Sequence, residues 1–132
     1  MILIDTSVLI GYFKGIKGEP YDMVDVLVDQ NIPIGICNQV YQEILQGAKD
    51  GKEFSLLKET LNTMDFYDLR FGKKSYENAA MMYFMCRKAG ITPRSTIDLI
   101  IAQIAIENNL LLLHNDNDFV NIAKIITDLK LL

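Results

Sequence analysis

The sequence has 132 residues, of which 50% are apolar and 23% charged, a balance that is typical of a compact globular protein and excludes a disordered chain. Its net charge of −4 argues against a protein that grips nucleic acid by bulk positive charge, although a bound cation would supply positive charge locally. No apolar run approaches the roughly 20 residues that cross a bilayer, and the N-terminus lacks a signal-peptide pattern. We therefore expect one cytoplasmic domain over residues 1–132, with Cys37 and Cys86 as reduced, buried thiols.

The N-terminal run of residues 1–4 is apolar without alternation, which predicts a strand buried on both faces of a parallel sheet. Asp5 follows at once, and Thr6 and Ser7 are residues that start helices. Asp5 is therefore predicted at the carboxyl end of an inner strand, where open parallel sheets build their ligand sites.

The rest of the chain alternates between helical and strand patterns. Helices are predicted at residues 8–14, 21–29, 39–49 (capped by Asn38), 53–64, 73–89 and 96–108. Further strands are predicted at residues 34–36, 66–67, 110–113 and 125–126. The order indicates an α/β fold with a central parallel sheet of four to five strands covered on both faces. The Met- and aromatic-rich stretch 81–85 is interpreted mainly as core.

Four carboxylates are predicted to converge. Asp5 and Asp116 both follow apolar strands, so both fall at the same edge of the sheet. Asp98 lies in the first turn of the helix before the second of these strands, and Glu43 lies in the first half of a helix after a short strand. Gathered acids repel one another and stay ionised only with a cation among them.

Each acid also has a structural explanation. Asp5 is suited to cap the next helix, and Glu43 to be an ordinary solvated helix residue. Asp98 stands three residues after Ser95, which is the spacing of a capping box. Asp116 lies in a polar turn, where Asp is common for conformational reasons.

The chemistry of an all-oxygen site favours a hard ion, Mg²⁺ or Mn²⁺, and such a site is suited to phosphodiester hydrolysis. The single histidine, His114, argues against a ribonuclease mechanism that needs two histidines, and we interpret it as a structural residue at the end of a strand. A triad of His114 with Ser7 or Ser95 lacks a nucleophile-elbow sequence.

Four segments in this order resemble the PIN-domain family, and within it the small VapC-type toxins of toxin–antitoxin pairs. The segments are residues 4–9 (IDTSVL), 43–47 (EILQG), 95–102 (STIDLIIA) and 113–119 (LHNDNDF). The resemblance implies a three-layer α/β/α sandwich and a Mg²⁺- or Mn²⁺-dependent endoribonuclease that is inhibited by a cognate antitoxin.

The resemblance also implies roles for individual residues. The expected catalytic quartet is Asp5, Glu43, Asp98 and Asp116. As a hypothesis, Asp5, Asp98 and Asp116 hold one metal directly or through water, and Glu43 completes the set or holds a second ion. Asp118 is expected as an auxiliary acid, and Thr6 as the hydroxyl residue that orients the first Asp. His114 departs from the pattern, because many relatives carry Thr there.

Two basic residues near the predicted site, Arg94 and Lys14, are expected to steer the RNA strand, and each is equally well explained as a solvated surface charge. Single-stranded or looped RNA is the expected substrate. A homodimer is also expected, and the helix at residues 73–89 offers a surface for it or for an antitoxin.

Two other functions are compatible with parts of the sequence. An aspartyl-phosphate enzyme would need a second Asp two residues after Asp5, where Ser7 stands. A catalytically inactive PIN-like scaffold that binds RNA or protein would be expected to have lost at least one of the four acids, and all four are present.

Overall fold

The computed structural model describes residues 1–132, which is the whole sequence. Its five strands are β1 (Ile2–Ile4), β2 (Ile34–Cys37), β3 (Asp65–Tyr67), β4 (Leu111–Leu113) and β5 (Lys130–Leu131). Its seven helices are α1 (Thr6–Phe13), α2 (Tyr21–Asp29), α3 (Asn38–Gln46), α4 (Gly51–Leu61), α5 (Lys73–Lys88), α6 (Thr96–Glu107) and α7 (Asn117–Ile125). None of these helices has the length and hydrophobicity that a bilayer crossing requires.

The strands form one parallel sheet in the order β3-β2-β1-β4-β5, which confirms the predicted α/β class. All three residues of β1 are buried, as expected for the central strand of a sheet covered on both faces. The α1, α2, α3 and α4 helices pack among themselves, and α5, α6 and α7 form a second group. The result is a sheet flanked by helices, with β1 and β4 side by side at its centre.

The buried core explains the apolar segments. Helix α6 is buried over most of its surface, and Leu99, Ile101 and Ile104 are among the residues that contact the sheet-side core. Cys37 and Cys86 are both free and buried, as predicted. The α5 stretch is different from the prediction, because only Met82 of residues 81–85 is buried; Met81, Phe84 and Met85 are exposed. A 16-residue helix with one face on the core leaves the opposite face in solvent.

The predicted strand at residues 125–126 is wrong. Ile125 is the last residue of α7, and the fifth strand is Lys130–Leu131, which pairs with β4 at the sheet edge. The polar run at residues 114–118 was expected to be a turn, but Asp116 caps α7, and Phe119 and Ile122 bury its apolar face. Helical spacing of these two residues outweighs the β propensity of the two isoleucines at residues 125–126.

Helix bounds differ from the predictions mainly at the ends. The α2 helix matches its predicted range, whereas α1 and α4 begin two residues earlier than predicted. The α3 helix ends at Gln46 instead of residue 49, and Asn38 is its first helical residue and not its cap. These differences leave Asp5 after β1, Glu43 on α3 and Asp98 in the first turn of α6, as predicted, whereas Asp116 and Asp118 lie at the start of α7 and not in a turn.

Candidate active site

The carboxyl edge of the central strands carries the predicted acids. Asp5 directly follows β1, and its backbone N–H donates to the carbonyl of Leu113 at 3.0 Å. Because Ile4 pairs with Leu113, the ends of β1 and β4 lie side by side. The chain that leaves β4 therefore brings Asp116 to the edge where Asp5 lies, as the sequence predicts.

Asp5 is nearly inaccessible, with 5% of its surface exposed, and it caps α1. Its Oδ2 accepts hydrogen bonds from the backbone N–H of Ser7 at 3.1 Å and from the Ser7 hydroxyl at 2.6 Å. The pKa of Asp5 is raised overall. Burial raises it most, the hydrogen bonds from Ser7 offset part of this increase, and the charge of Asp116 adds to it. The capping role and a role in the acid cluster are therefore compatible in one side chain.

Thr6 and Ser7 orient different acids. The Thr6 hydroxyl donates to Oε1 of Glu43 at 3.1 Å, which ties α1 to α3. The resemblance gives Thr6 the role of orienting Asp5; in this structure the Thr6 hydroxyl bonds Glu43, and the hydroxyl that bonds Asp5 is that of Ser7. The Ser7 hydroxyl also accepts the backbone N–H of Asn115 at 3.0 Å, so it joins the end of β1 to the loop after β4.

Asp98 is half-buried in the first turn of α6 and is surrounded by like charge. Burial, as the largest cause, and the charges of Asp5, Asp116, Asp118 and Glu43 together raise the pKa of Asp98 to about 7. Ser95 makes no side-chain capping bond, so the capping-box explanation of Asp98 fails. Asp98 is therefore held close to the other acids without a local partner that would explain its position.

The loop after β4 is held by short hydrogen bonds. The Asp116 backbone N–H donates to Nδ1 of His114 at 3.1 Å, and Oδ1 of Asp116 accepts the backbone N–H of Asp118 at 2.9 Å. Partial burial holds the pKa of His114 below its ordinary value, and its ring packs edge-on against buried Phe119. The predicted structural role of His114 agrees with these contacts.

The tightest group of acids consists of Asp98, Asp116 and Asp118, each of which offers a carboxylate oxygen within 4.8 Å of the others. Asp118 was expected only as an auxiliary acid, and Asp5, whose Oδ2 bonds Ser7, is not part of this closest group. The donors are all carboxylate oxygens, which is the set that Mg²⁺ and Mn²⁺ prefer. Burial and the charges of the neighbouring acids raise the pKa of Asp98, and a divalent ion among these oxygens would favour its ionised form, so the residues fit such an ion.

The two predicted RNA-steering residues occupy different places. The Arg94 guanidinium forms ion pairs with two of the acids: its Nε is 3.1 Å from Oδ2 of Asp118, and its Nη2 is 3.6 Å from Oδ1 of Asp116. Lys14 is exposed just after α1 and lines a groove that also contains Glu43. Two sets of contacts were not predicted from the sequence: those of Arg94 with the acids, and those of the Ser7 hydroxyl with Asp5 and Asn115. An Asp followed two residues later by Ser is nevertheless a signal for a capping bond to Asp.

The acid cluster and the parallel sheet that carries it define a recognisable class of protein. Residues 2–125 match the family model of the PIN domain. The chain is 32% identical over 126 residues to VapC ribonuclease Mb1587 of Mycobacterium bovis and, to the same extent, to ribonuclease VapC11 of Mycobacterium tuberculosis. These matches cover 95% of this chain and 93% of each relative. The chain therefore belongs to the PIN domain family, and within it to the VapC group.

Solved structures agree on the fold. The structure of VapBC2 from Rickettsia felis bound to a DNA fragment from their promoter matches with a TM-score of 0.77 and 22% identity over the whole of this chain and 98% of that one. FitAcB from Neisseria gonorrhoeae matches with a TM-score of 0.66 and 19% identity, covering all of this chain and 96% of its own.

Proposed function

We propose that this protein is a metal-dependent endoribonuclease and the toxin of a toxin–antitoxin pair. The observation that carries the proposal is the convergence of acids from four separate segments at one sheet edge, where burial and the charges of the other acids raise the pKa of Asp98 to about 7. The names of the curated relatives, VapC ribonucleases, support RNA as the substrate.

In this proposal Asp5, Asp98 and Asp116 hold one Mg²⁺ or Mn²⁺, and Glu43 completes the catalytic quartet. Asp118 is the auxiliary acid, and its proximity to Asp98 and Asp116 supports a direct part in holding the ion. When bound, a divalent ion activates water for attack on phosphorus and neutralises charge on the scissile phosphate.

The residues around the acids fix their positions. Ser7 holds Asp5 by two hydrogen bonds, and Thr6 holds Glu43. His114 fixes the backbone at Asp116. Such restraints reduce the reorganisation that the acids would otherwise need around an ion and a phosphate.

RNA is expected to reach the site as a single strand, because bases must be turned away from the phosphate that enters a sheet-edge cluster. Lys14 is exposed beside Glu43 and is placed to meet a phosphate that flanks the cleaved bond. The overall charge of −4 means that local cations, including the bound ion, must supply the attraction.

An antitoxin is the expected partner. The Rickettsia felis neighbour was solved as VapBC2 on a promoter fragment, which supports an assembly of this kind for the present chain. The neighbouring reading frame, co-expressed with this chain, is expected to co-purify with it and to relieve its toxicity; cleavage that persists unchanged in the mixture contradicts this partner. The predicted homodimer is tested by light scattering, which should give twice the chain mass of 15.0 kDa.

The test of the activity is cleavage of a pool of single-stranded RNA by the purified chain with Mg²⁺ or Mn²⁺. We expect cleavage that EDTA abolishes and that Asp5→Asn and Asp98→Asn each reduce by at least about 100-fold. Asp128→Asn changes an exposed acid outside the cluster and is expected to leave cleavage unchanged. Cleavage that survives both EDTA and Asp5→Asn contradicts the metal mechanism, and RNA binding without cleavage at any metal concentration supports the inactive scaffold instead.

A further inference from the structure

Arg94 is the only basic side chain that forms ion pairs with the acid cluster, and it contacts two of the three acids whose oxygens lie closest together. Its Nε bonds Oδ2 of Asp118 at 3.1 Å, and its Nη2 lies 3.6 Å from Oδ1 of Asp116. A guanidinium carries several N–H donors in a fixed plane, so one side chain can bridge two carboxylates. The Arg94 guanidinium therefore places its positive charge beside the carboxylates of Asp116 and Asp118.

The backbone fixes the position of Arg94, but its side chain remains accessible. Pro93 is buried, and the backbone N–H of Arg94 donates to Asp118 at 3.4 Å, so the residue is held beside the first turn of α6. Its side chain is 76% exposed and borders a groove of about 440 Å³ between α5 and α6. The guanidinium can therefore leave the acids for solvent or for this groove without disturbing the core.

We propose that Arg94 is a resident counter-cation, which a divalent ion must displace from Asp116 and Asp118, and that Arg94 thereby sets the metal affinity of the site. This inference rests on the proposed function, because it concerns the ion of that site. Two cations compete for the same oxygens, and a guanidinium that stays beside the cluster also repels the ion. Arg94 is a positioning residue in this scheme: it keeps the acids together before the ion binds and weakens the binding of the ion.

The competition does not depend on the protonation state of Arg94, because a guanidinium stays protonated over the working pH range of the protein. The competition between residue 94 and the ion depends on the shape of the side chain. A lysine ammonium has the same charge concentrated at one point, so it cannot span two carboxylates in the same fixed geometry. A lysine at this position is therefore expected to compete less well than arginine, and an uncharged residue is expected not to compete.

The experiment measures the dissociation constant for Mn²⁺ by electron paramagnetic resonance of the free ion, at pH 8 and fixed ionic strength. Arg94→Gln is expected to bind Mn²⁺ about fivefold more tightly than the wild type, from the loss of one positive charge near a divalent ion in a water-exposed site. Arg94→Lys is expected to lie between them. Arg87→Gln changes the net charge by the same amount at an exposed position of α5, and it is expected to bind Mn²⁺ with the affinity of the wild type.

A second readout does not depend on metal titration. Without metal, Arg94→Gln is expected to melt at a lower temperature than Arg87→Gln, because the acids lose their counter-charge, and saturating Mn²⁺ is expected to raise its melting temperature by more than that of the wild type. Circular dichroism checks that each variant is folded. If Arg94→Gln does not fold, Arg94→Lys carries the same test.

Folded Arg94 variants whose Mn²⁺ affinity equals or falls below that of the wild type overturn the inference while leaving the metal site intact. A wild type that binds no Mn²⁺ in this cluster overturns the proposed function, and the inference fails with it. Tighter binding in Arg94→Gln together with an unchanged Arg87→Gln supports the inference.

Discussion

Replacing Asp98 by asparagine is expected to make the metal-free protein more stable while it removes activity. In the folded chain, burial and the surrounding acids raise the pKa of Asp98 to about 7 from 3.8. Between about pH 4 and pH 7 the folded protein holds a proton that the unfolded chain has released, so its free energy of unfolding falls as pH rises through this window. Asparagine has a similar shape and carries no charge, so the free energy of unfolding of the variant does not fall in this way as the pH rises.

The size of the effect follows from the same pKa. Each pKa unit is worth about 1.4 kcal/mol, so the upper bound for Asp98 at pH 8 is about 4 kcal/mol. Asp98 is only half-buried, and water screens its repulsion from the other acids, so we expect about 1 to 2 kcal/mol. In a chain of this length that corresponds to about 3 to 8 °C in melting temperature.

Urea denaturation in EDTA at pH 4.5 and pH 8 measures the change. Asp98→Asn is expected to exceed the wild type in free energy of unfolding at pH 8 and to be close to it at pH 4.5, where the wild-type carboxyl is protonated. Asp128→Asn, an exposed acid outside the cluster, is the matched control and should show no such difference. An Asp98→Asn variant that is no more stable than the wild type at pH 8 refutes the argument that this acid is held among like charges.

Two further substitutions test the supports of the site and of the sheet. Ser7→Ala removes two hydrogen-bond contacts made by the serine hydroxyl, including the 2.6 Å bond to Asp5, and is expected to lower the free energy of unfolding by about 1 to 2 kcal/mol in urea denaturation. Ser55→Ala, at an exposed position of α4, is its control. Equal losses of stability in the two variants would contradict a role of the Ser7 hydroxyl in holding Asp5. Gly35→Ala would put a methyl group 2.5 Å from the Tyr67 ring and 2.7 Å from the backbone carbonyl oxygen of Asp65, so a loss of about 1 to 3 kcal/mol is expected by the same method; an unchanged stability would show that both the ring and strand β3 move aside freely.

Much of the site was predictable because it depends on strand ends. The apolar runs before Asp5 and before the loop of Asp116 place both acids at one sheet edge whatever the details of packing, since parallel strands end on the same side. Asp98 was predictable from its place in the first turn of a helix with an almost wholly apolar surface. Local pattern and chain direction are sufficient for such residues.

The contacts that join distant segments were not predictable in this way. The bond between Ser7 and Asn115 joins residues 108 positions apart, and the Arg94–Asp118 pair depends on which rotamers the loop allows. The last strand was misplaced for a related reason: β5 has two residues at the sheet edge, and its pairing with β4 decides its position more than its own sequence does.

The most direct test of the central claim, that scattered acids form one divalent-ion site, is an anomalous difference map from crystals soaked in Mn²⁺. The account predicts a peak within bonding distance of the carboxylates of Asp98 and Asp116, with Asp5 or Asp118 completing the protein ligands. Peaks confined to other acidic surfaces, with none at this sheet edge, would contradict it.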